Sequence, residues 1–180
     1  MALAEIPLII FPVDKWIKEL PRSRMEYPAA FLDQIKYWFW MVYSRFYPFI
    51  RRVSYRLGIG EFFINYFEPG HMGRQDFLIG TLHPSRSARD FSWFLVAQGF
   101  GNHFVAWKDS GELVSLRRTA GFERQYHIRI FKDGEVRGHY EFTPECHPFL
   151  HMVRVGFEDR TAEFQAIAGD WVVPLPAPKD

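Results

Sequence analysis

Cysteine is nearly absent from this chain, because Cys146 is the only one among its 180 residues. A single cysteine cannot form an internal disulfide, which fits a reducing compartment, and we expect a cytoplasmic location. Long apolar runs are missing as well, since the longest, 37–43, falls far short of the roughly 20 residues that cross a bilayer. The first residues lack a basic stretch and a small-residue cleavage site, so a secretory signal is not expected.

Recognisable motifs are also missing. The sequence has no zinc, Walker or glycine-rich dinucleotide motif and no internal repeat, so we predict no cofactor and no metal. The net charge of +1 creates no global field that would attract nucleic acid, which we do not expect as a partner. Apolar residues make up 48% of the chain, which is enough for a folded core and excludes disorder over most of the length.

The residues that are present divide the chain near a stretch rich in glycine and proline. We predict an aromatic and basic helical N-terminal region over 1–60, a connection over 61–74, an α+β domain over 75–172 and a loose tail over 173–180. The N-terminal helix runs from about Pro28 to Leu57, and Pro48 is expected to kink or split it because proline removes a backbone donor.

The α+β domain is predicted to be an antiparallel, meander-like sheet packed against helices. A strand over 76–82 precedes a helix capped by Ser87 and ending near Gly99. Two hairpins follow, with turns at 109–111 and 132–134. A C-terminal helical segment then begins at Thr143, and its apolar residues recur at helical spacing: Leu150, Val153, Phe157, Phe164, Ala168 and Trp171.

The register of the second hairpin follows from its turn and its strand pattern together. A two-residue turn at 133–134 would mix apolar and charged side chains on both faces. A three-residue turn with left-handed Gly134 pairs Phe131 with Glu135 and collects the apolar residues on one face. We therefore predict the second register, in which the other face carries Gln125, His127, Arg129, Arg137, His139 and Glu141.

Facing residues on this polar face carry like charge, because His127 lies opposite His139 and Arg129 lies opposite Arg137. Such pairs are destabilising, so an anion or another part of the chain is expected between them. The same three-residue turn in the first hairpin would place His103 opposite Arg117. Even so, an ordinary solvated sheet face is the interpretation that we favour over any binding or catalytic role.

Two functions remain as hypotheses for the polar face. The preferred one is a noncatalytic binding or interaction module for an anionic small molecule or a protein partner. Its candidate ligand-binding residues are His103, Arg117, His127, Arg129, Arg137, His139 and Glu141. The alternative is a small hydrolase or transferase that uses the two facing histidines and Glu141, with or without a metal ion. Acid–base catalysis would need an orienting group that the sequence does not identify.

Two other features attract attention. Cys146 stands beside His147, but neighbours on a helix point about 100° apart, so we interpret Cys146 as a buried thiol and not as a nucleophile. The segment 36–56 mixes aromatic with basic residues and contains no acid. We favour a helix buried on several sides, with peripheral membrane contact or partner docking as alternatives.

Overall fold

The computed structural model describes residues 15–58, 77–102, 111–147, 150, 157–158 and 160–174. Helix α1, Phe31–Arg56, confirms the predicted N-terminal helix. It continues through Pro48, so the expected split does not occur. The predicted connection over 61–74 lies outside the described residues.

The fold class is α+β, as predicted, and its centre is a six-stranded antiparallel sheet with the order β2-β3-β4-β5-β1-β6. The strands are β1 (Leu78–Leu82), β2 (Gly101–Asn102), β3 (Glu112–Ala120), β4 (Arg124–Phe131), β5 (Glu135–Phe142) and β6 (Val172–Pro174). Helices α2 (Ala88–Ala97) and α3 (Thr161–Ala168) are also described, Leu150 is in helical conformation, and 3-10 turns occupy Lys15–Glu19 and Gly169–Trp171.

The second predicted hairpin is confirmed as β4 and β5. Ile130 pairs with Val136, Arg129 with Arg137 and His127 with His139. Gly134 has φ +88°, the left-handed conformation that a three-residue turn with a bulge requires. Local turn chemistry and strand pattern were sufficient to determine this register.

The predicted register of the first hairpin is wrong, because Gly101 and not His103 lies opposite Arg117. The position of β2 depends on a remote segment: the backbone N–H of Asn102 donates to the Pro21 carbonyl, and its side chain donates to the Ile17 carbonyl. Turn residues carry no information about that contact. His103 itself lies outside the described residues.

The two predicted hairpins are neighbours, as in a meander, because β3 is joined to β4 through residues 121–123, with Gly121 at φ +81°. Arg117 pairs with His127 and Ser115 with Arg129 across these two strands. The polar faces of β3, β4 and β5 therefore form one continuous surface, which the sequence had left undecided.

The opposite face of the sheet is apolar and packs beneath helices α2 and α3. Gly138 lies where a Cβ atom would come within 2.6 Å of the Phe164 ring and 2.7 Å of Ile79, so only glycine fits beneath α3. The fully buried residues on this side are Ile79, Phe91, Leu95, Val114, Leu116, Ile128, Ile130, Val136 and Phe164.

Helix α2 confirms the predicted cap, since Ser87 Oγ accepts from the backbone N–H of Asp90 at 3.0 Å. The C-terminal prediction needs two corrections. Phe157 lies outside any helix, and Glu158 bridges to Tyr140 in extended conformation, so α3 is limited to Thr161–Ala168. The first residues of the expected loose tail, Val173 and Pro174, belong to edge strand β6 (Val172–Pro174), because β1 offers this strand an unpaired side.

Residues before α1 belong to the same core as the sheet. Ile17 and Leu20 are buried in the main apolar cluster, and Arg22 bridges to Asn102 at the end of the sheet. One side of α1 is buried through Trp40 and Tyr47. Its other side is exposed, so the expected burial on several sides is wrong.

Candidate functional site

The polar face of the sheet is buried, which overturns its interpretation as a solvated surface. Arg137 and Glu141 are each 1% exposed, and His127 and His139 are 7% and 4% exposed. Strand alternation shows which residues share a face, but not what covers that face. Side chains of Ser23, Glu145 and Phe157, from other parts of the chain, contact it here.

The centre of this face brings His127, His139 and Glu141 together. His127 Nδ1 lies 3.1 Å from His139 Nε2 and 3.0 Å from Glu141 Oε1. His139 Nε2 lies 3.3 Å from the other carboxylate oxygen, Oε2. All three donor groups are buried and lie within 4.8 Å of one another. The pairing of β4 with β5 produces this cluster, because Glu141 is diagonal to His127 across the two strands.

The spacing of these atoms suits a metal ion. Bonds of about 2.0–2.2 Å to nitrogen and oxygen would separate neighbouring ligand atoms by about 2.9 Å in an octahedron and about 3.4 Å in a tetrahedron. The two imidazole nitrogens are 3.1 Å apart, and each lies 3.0 or 3.3 Å from a different oxygen of the Glu141 carboxylate, so these contacts fall inside that interval when both carboxylate oxygens take part. Two imidazoles and one carboxylate form a ligand set used by zinc hydrolases and by non-haem iron enzymes.

Ser115 extends the cluster on its far side. Its Oγ is in short hydrogen-bond contact with His127 Nε2, while His127 Nδ1 faces Glu141. If the ring is neutral with its proton on Nδ1, His127 donates to Glu141 and accepts from the Ser115 hydroxyl. This is the polarity of a serine, histidine and acid triad. If Nδ1 binds a metal ion instead, the proton lies on Nε2 and His127 donates to Ser115, which then orients a metal ligand.

Burial lowers the pKa of His127 to about 4, against the opposing effect of the nearby Glu141 carboxylate. The imidazole is therefore neutral at pH 7 and has one nitrogen lone pair available. A neutral imidazole is the form that binds a metal ion or accepts a proton from a hydroxyl. The electrostatics of the site thus favour both kinds of chemistry that its geometry allows.

A chain of polar contacts holds Glu141 in position. Gln125 Nε2 donates to Glu141 Oε1 at 2.6 Å, and Arg117 Nη1 donates to Gln125 Oε1 at 3.0 Å. Arg117 also forms a bidentate ion pair with Glu145, and its Nε donates to Ser23 Oγ at 2.6 Å. Because the amide oxygen of Gln125 accepts from Arg117, the amide nitrogen of Gln125 points towards the Glu141 carboxylate.

The two facing arginines contact carboxylates of the chain itself. Arg129 Nη1 lies 3.7 Å from Glu112, and Arg137 Nη2 donates to Glu135 at 3.0 Å. Both guanidinium groups also approach the Phe131 ring, at 5.8 and 5.2 Å from its centroid. Glutamates of the chain therefore compensate the facing arginines. The sequence led us to expect either an external anion or another part of the chain in this role.

Aromatic rings enclose His139. The Phe157 ring stacks on its imidazole at 4.7 Å with an interplanar angle of 10°, and Phe77 lies 5.7 Å away. These rings hold the imidazole plane in one orientation and reduce the polarity around it. The lower local polarity strengthens any electrostatic contact made by the His139 nitrogen.

The sequence identified some of this site and missed the rest. Every predicted candidate that the structure describes lies on this face, and His103 is outside the described residues, whereas Ser115, Gln125 and Glu145 were not proposed as site residues. Ser115 could have been found by extending the strand register through the turn at Gly121. Glu145 had no such signal, since it follows the last strand of the meander. Cys146 is a buried thiol, as expected, and burial raises its pKa.

Comparison of the chain with protein-family models, with curated proteins and with solved structures finds no match.

Proposed function

We propose that the chain is a small metal-assisted hydrolase in which His127, His139 and Glu141 hold a divalent ion of the zinc class. The observation that carries the proposal is a buried cluster in which two imidazole nitrogens lie 3.1 Å apart and each lies 3.0 or 3.3 Å from one oxygen of the Glu141 carboxylate. Such an ion would lower the pKa of a bound water molecule or polarise a carbonyl or phosphoryl group. Gln125 and Ser115 are positioning residues, because each contacts a ligand.

The preferred hypothesis from sequence, a noncatalytic binding or interaction module that engages an anionic ligand or a partner through this face, has less support from this geometry. It relied on arginines available to an external anion, but Arg117, Arg129 and Arg137 each contact a carboxylate of the chain. An external anion would have to compete with Glu145, Glu112 or Glu135. The enzymatic alternative relies on the histidines and Glu141, which already converge on one point.

Elemental analysis and equilibrium dialysis of the full chain against Zn²⁺ test the metal site. We expect one metal ion per chain in the wild type and loss of it in His139→Ala and Glu141→Ala. His147→Ala is the matched control, because His147 is partly exposed and contacts Glu123 outside the cluster. A wild type that binds no metal, or a His139→Ala variant that binds it equally well, would disprove the site.

Turnover is tested by screening ester, phosphoester and peptide substrates. We expect hydrolysis that a chelator abolishes and Zn²⁺ restores, and that His139→Ala eliminates while the circular dichroism spectrum stays unchanged. Gln125→Ala should weaken metal affinity by roughly 10- to 100-fold, the usual effect of removing a group that orients a ligand. Absence of turnover in a wide screen, together with absence of metal, would count decisively against a hydrolase.

A second candidate function is a metal-free hydrolase with Ser115 as nucleophile, His127 as base and Glu141 as its orienting acid. The specific support is the contact of His127 Nε2 with Ser115 while Nδ1 faces the carboxylate. Labelling of Ser115 by a fluorophosphonate, and hydrolysis that survives chelation but not Ser115→Ala, would favour this candidate. Metal retention by Ser115→Ala together with chelator-sensitive turnover would favour the first.

A further inference from the structure

The outer side of α1 carries an apolar stripe that the described residues leave exposed. Its central members are Ile35, Trp38, Phe39, Val42, Phe46 and Phe49, which are 52% to 69% exposed. At 100° per residue these positions fall within an arc of about 100°. The helix has 26 residues and is about 39 Å long at 1.5 Å per residue, so the stripe is much more extended than a few scattered apolar side chains.

The opposite side of α1 already has its packing partners. Trp40 and Tyr47 are buried and pack with Met25 and Tyr43, and Ser44 between them is also buried. Trp40 also lines a groove together with Pro144 and Cys146, from the segment after β5, and the stripe residues Ile35 and Phe39 lie at the edge of the same groove. Because the buried residues of α1 lie on this inner side, the helix is held mainly through it, and the rest of the stripe lies outside the groove.

Positive charge borders the stripe on one flank. Arg45, Arg52 and Arg56 are exposed, and their spacing of seven and four residues places them within about 40° of one another around the helix. No aspartate or glutamate occurs from residue 34 to the end of α1. The chain as a whole has a net charge of only +1, so this cationic flank is a local property of the helix.

We propose that the outer side of α1 docks onto an anionic lipid bilayer, with the helix axis parallel to the membrane plane. Tryptophan and phenylalanine on one face with arginines beside them match the requirements of an interfacial helix. The arginine side chains can reach lipid phosphates while the rings enter the boundary of the acyl chains. Among the described residues, no helix combines the length and the apolar character of a membrane-spanning segment.

Charge favours a membrane over a second copy of this chain. Two α1 helices packed stripe to stripe in antiparallel orientation would place their cationic flanks on the same side, and neither helix offers an acid between residues 34 and 56 to compensate. An anionic bilayer supplies the opposite charge along the whole length of the flank. The stripe and the flank therefore indicate the same occupant.

Flotation of the full chain with vesicles tests the proposal. We expect the chain to float with vesicles of phosphatidylcholine and phosphatidylserine, and only weakly with vesicles of phosphatidylcholine alone. The fraction that floats should fall as the NaCl concentration is raised. Phe39→Ser/Phe46→Ser should abolish flotation, and Arg45→Gln/Arg52→Gln should weaken binding at low salt roughly 25-fold, about fivefold for each arginine. The matched controls are Trp93→Ser/Val173→Ser and Lys18→Gln/Lys132→Gln, which remove exposed apolar or basic groups elsewhere and should float as the wild type does.

Two results would overturn the docking surface. One is failure of the wild type to float with either vesicle type. If light scattering then finds a dimer that Phe39→Ser/Phe46→Ser converts to monomer, the occupant of the stripe is a second copy of the chain. The other is equal flotation of the wild type and Phe39→Ser/Phe46→Ser. His139→Ala should float normally, so a failure of the metal site does not affect this test.

Discussion

The polar face of the sheet and the outer side of α1 both depart from the usual distribution of residues in a protein. The first buries polar side chains, and the second exposes apolar ones. Arginine, histidine and glutamate on β3, β4 and β5 are buried, whereas phenylalanine, tryptophan and valine on α1 are exposed. Buried charge is costly unless it is paired, and exposed apolar area is unfavourable unless a partner covers it. The chain itself supplies the carboxylates that pair with the buried charges, whereas the exposed apolar side chains of α1 are left to contact something outside the described structure.

The largest expected effect comes from breaking the buried network at Arg117. Arg117→Met leaves Glu145 without its buried ion-pair partner and should lower the free energy of unfolding by about 3–5 kcal/mol. Arg89→Met is the matched control, because the Arg89 and Glu19 pair is exposed and should contribute less than about 1 kcal/mol. Urea denaturation measures both. Equal losses in the two variants would show that burial does not distinguish the pairs.

Lowering the pH should reduce the free energy of unfolding because His127 is buried. Its pKa of about 4 in the folded chain lies below the ordinary 6.5, so the unfolded state binds the proton first as pH falls. Stability is therefore retained above pH 6.5 and lost towards pH 4, by roughly 3 kcal/mol. Urea denaturation in the presence of a chelator should show this loss reduced in His127→Gln and unchanged in His147→Gln. A pH dependence that His127→Gln leaves intact would assign the loss to other groups.

The apolar side of the sheet gives a smaller effect. Gly138→Ala places a methyl group against Phe164 and Ile79, and the resulting overpacking should cost about 1–3 kcal/mol. Phe164→Leu combined with Gly138→Ala should cost less than the sum of the two single changes, because the smaller side chain leaves room for the methyl group. Thermal or urea unfolding of the three variants measures this coupling, and strict additivity would mean that the two residues do not compete for space.

The smallest effect is expected on the outer side of α1. Phe39 is 69% exposed, so Phe39→Ser should change the free energy of unfolding by less than about 0.5 kcal/mol. Trp40→Ser, one residue further on the buried side, should cost several times more. Comparing the two by urea denaturation sharpens the distinction between the two sides of the helix. A large loss in Phe39→Ser would mean that the stripe is already covered in the isolated chain.

Much of the fold was predictable where the determining interactions are local. The cap at Ser87, the left-handed glycine at residue 134 and the alternation along β4 and β5 each depend on residues within a few positions of one another. The register of β2 was not predictable in this way. Asn102 is held by Ile17 and Pro21, about 80 residues earlier in the chain, and no turn residue near 109–111 encodes that contact.

The sidedness of β4 and β5 follows from the amino-acid pattern alone, since a strand has a period of two and one register separates apolar from polar residues. That register places His127 opposite His139, with Glu141 on the same face. Distant contacts are needed to establish that this face is buried, that Ser115 joins it, and that Glu145 neutralises Arg117. Burial depends on which distant segments cover a face, and strand periodicity contains no information about them.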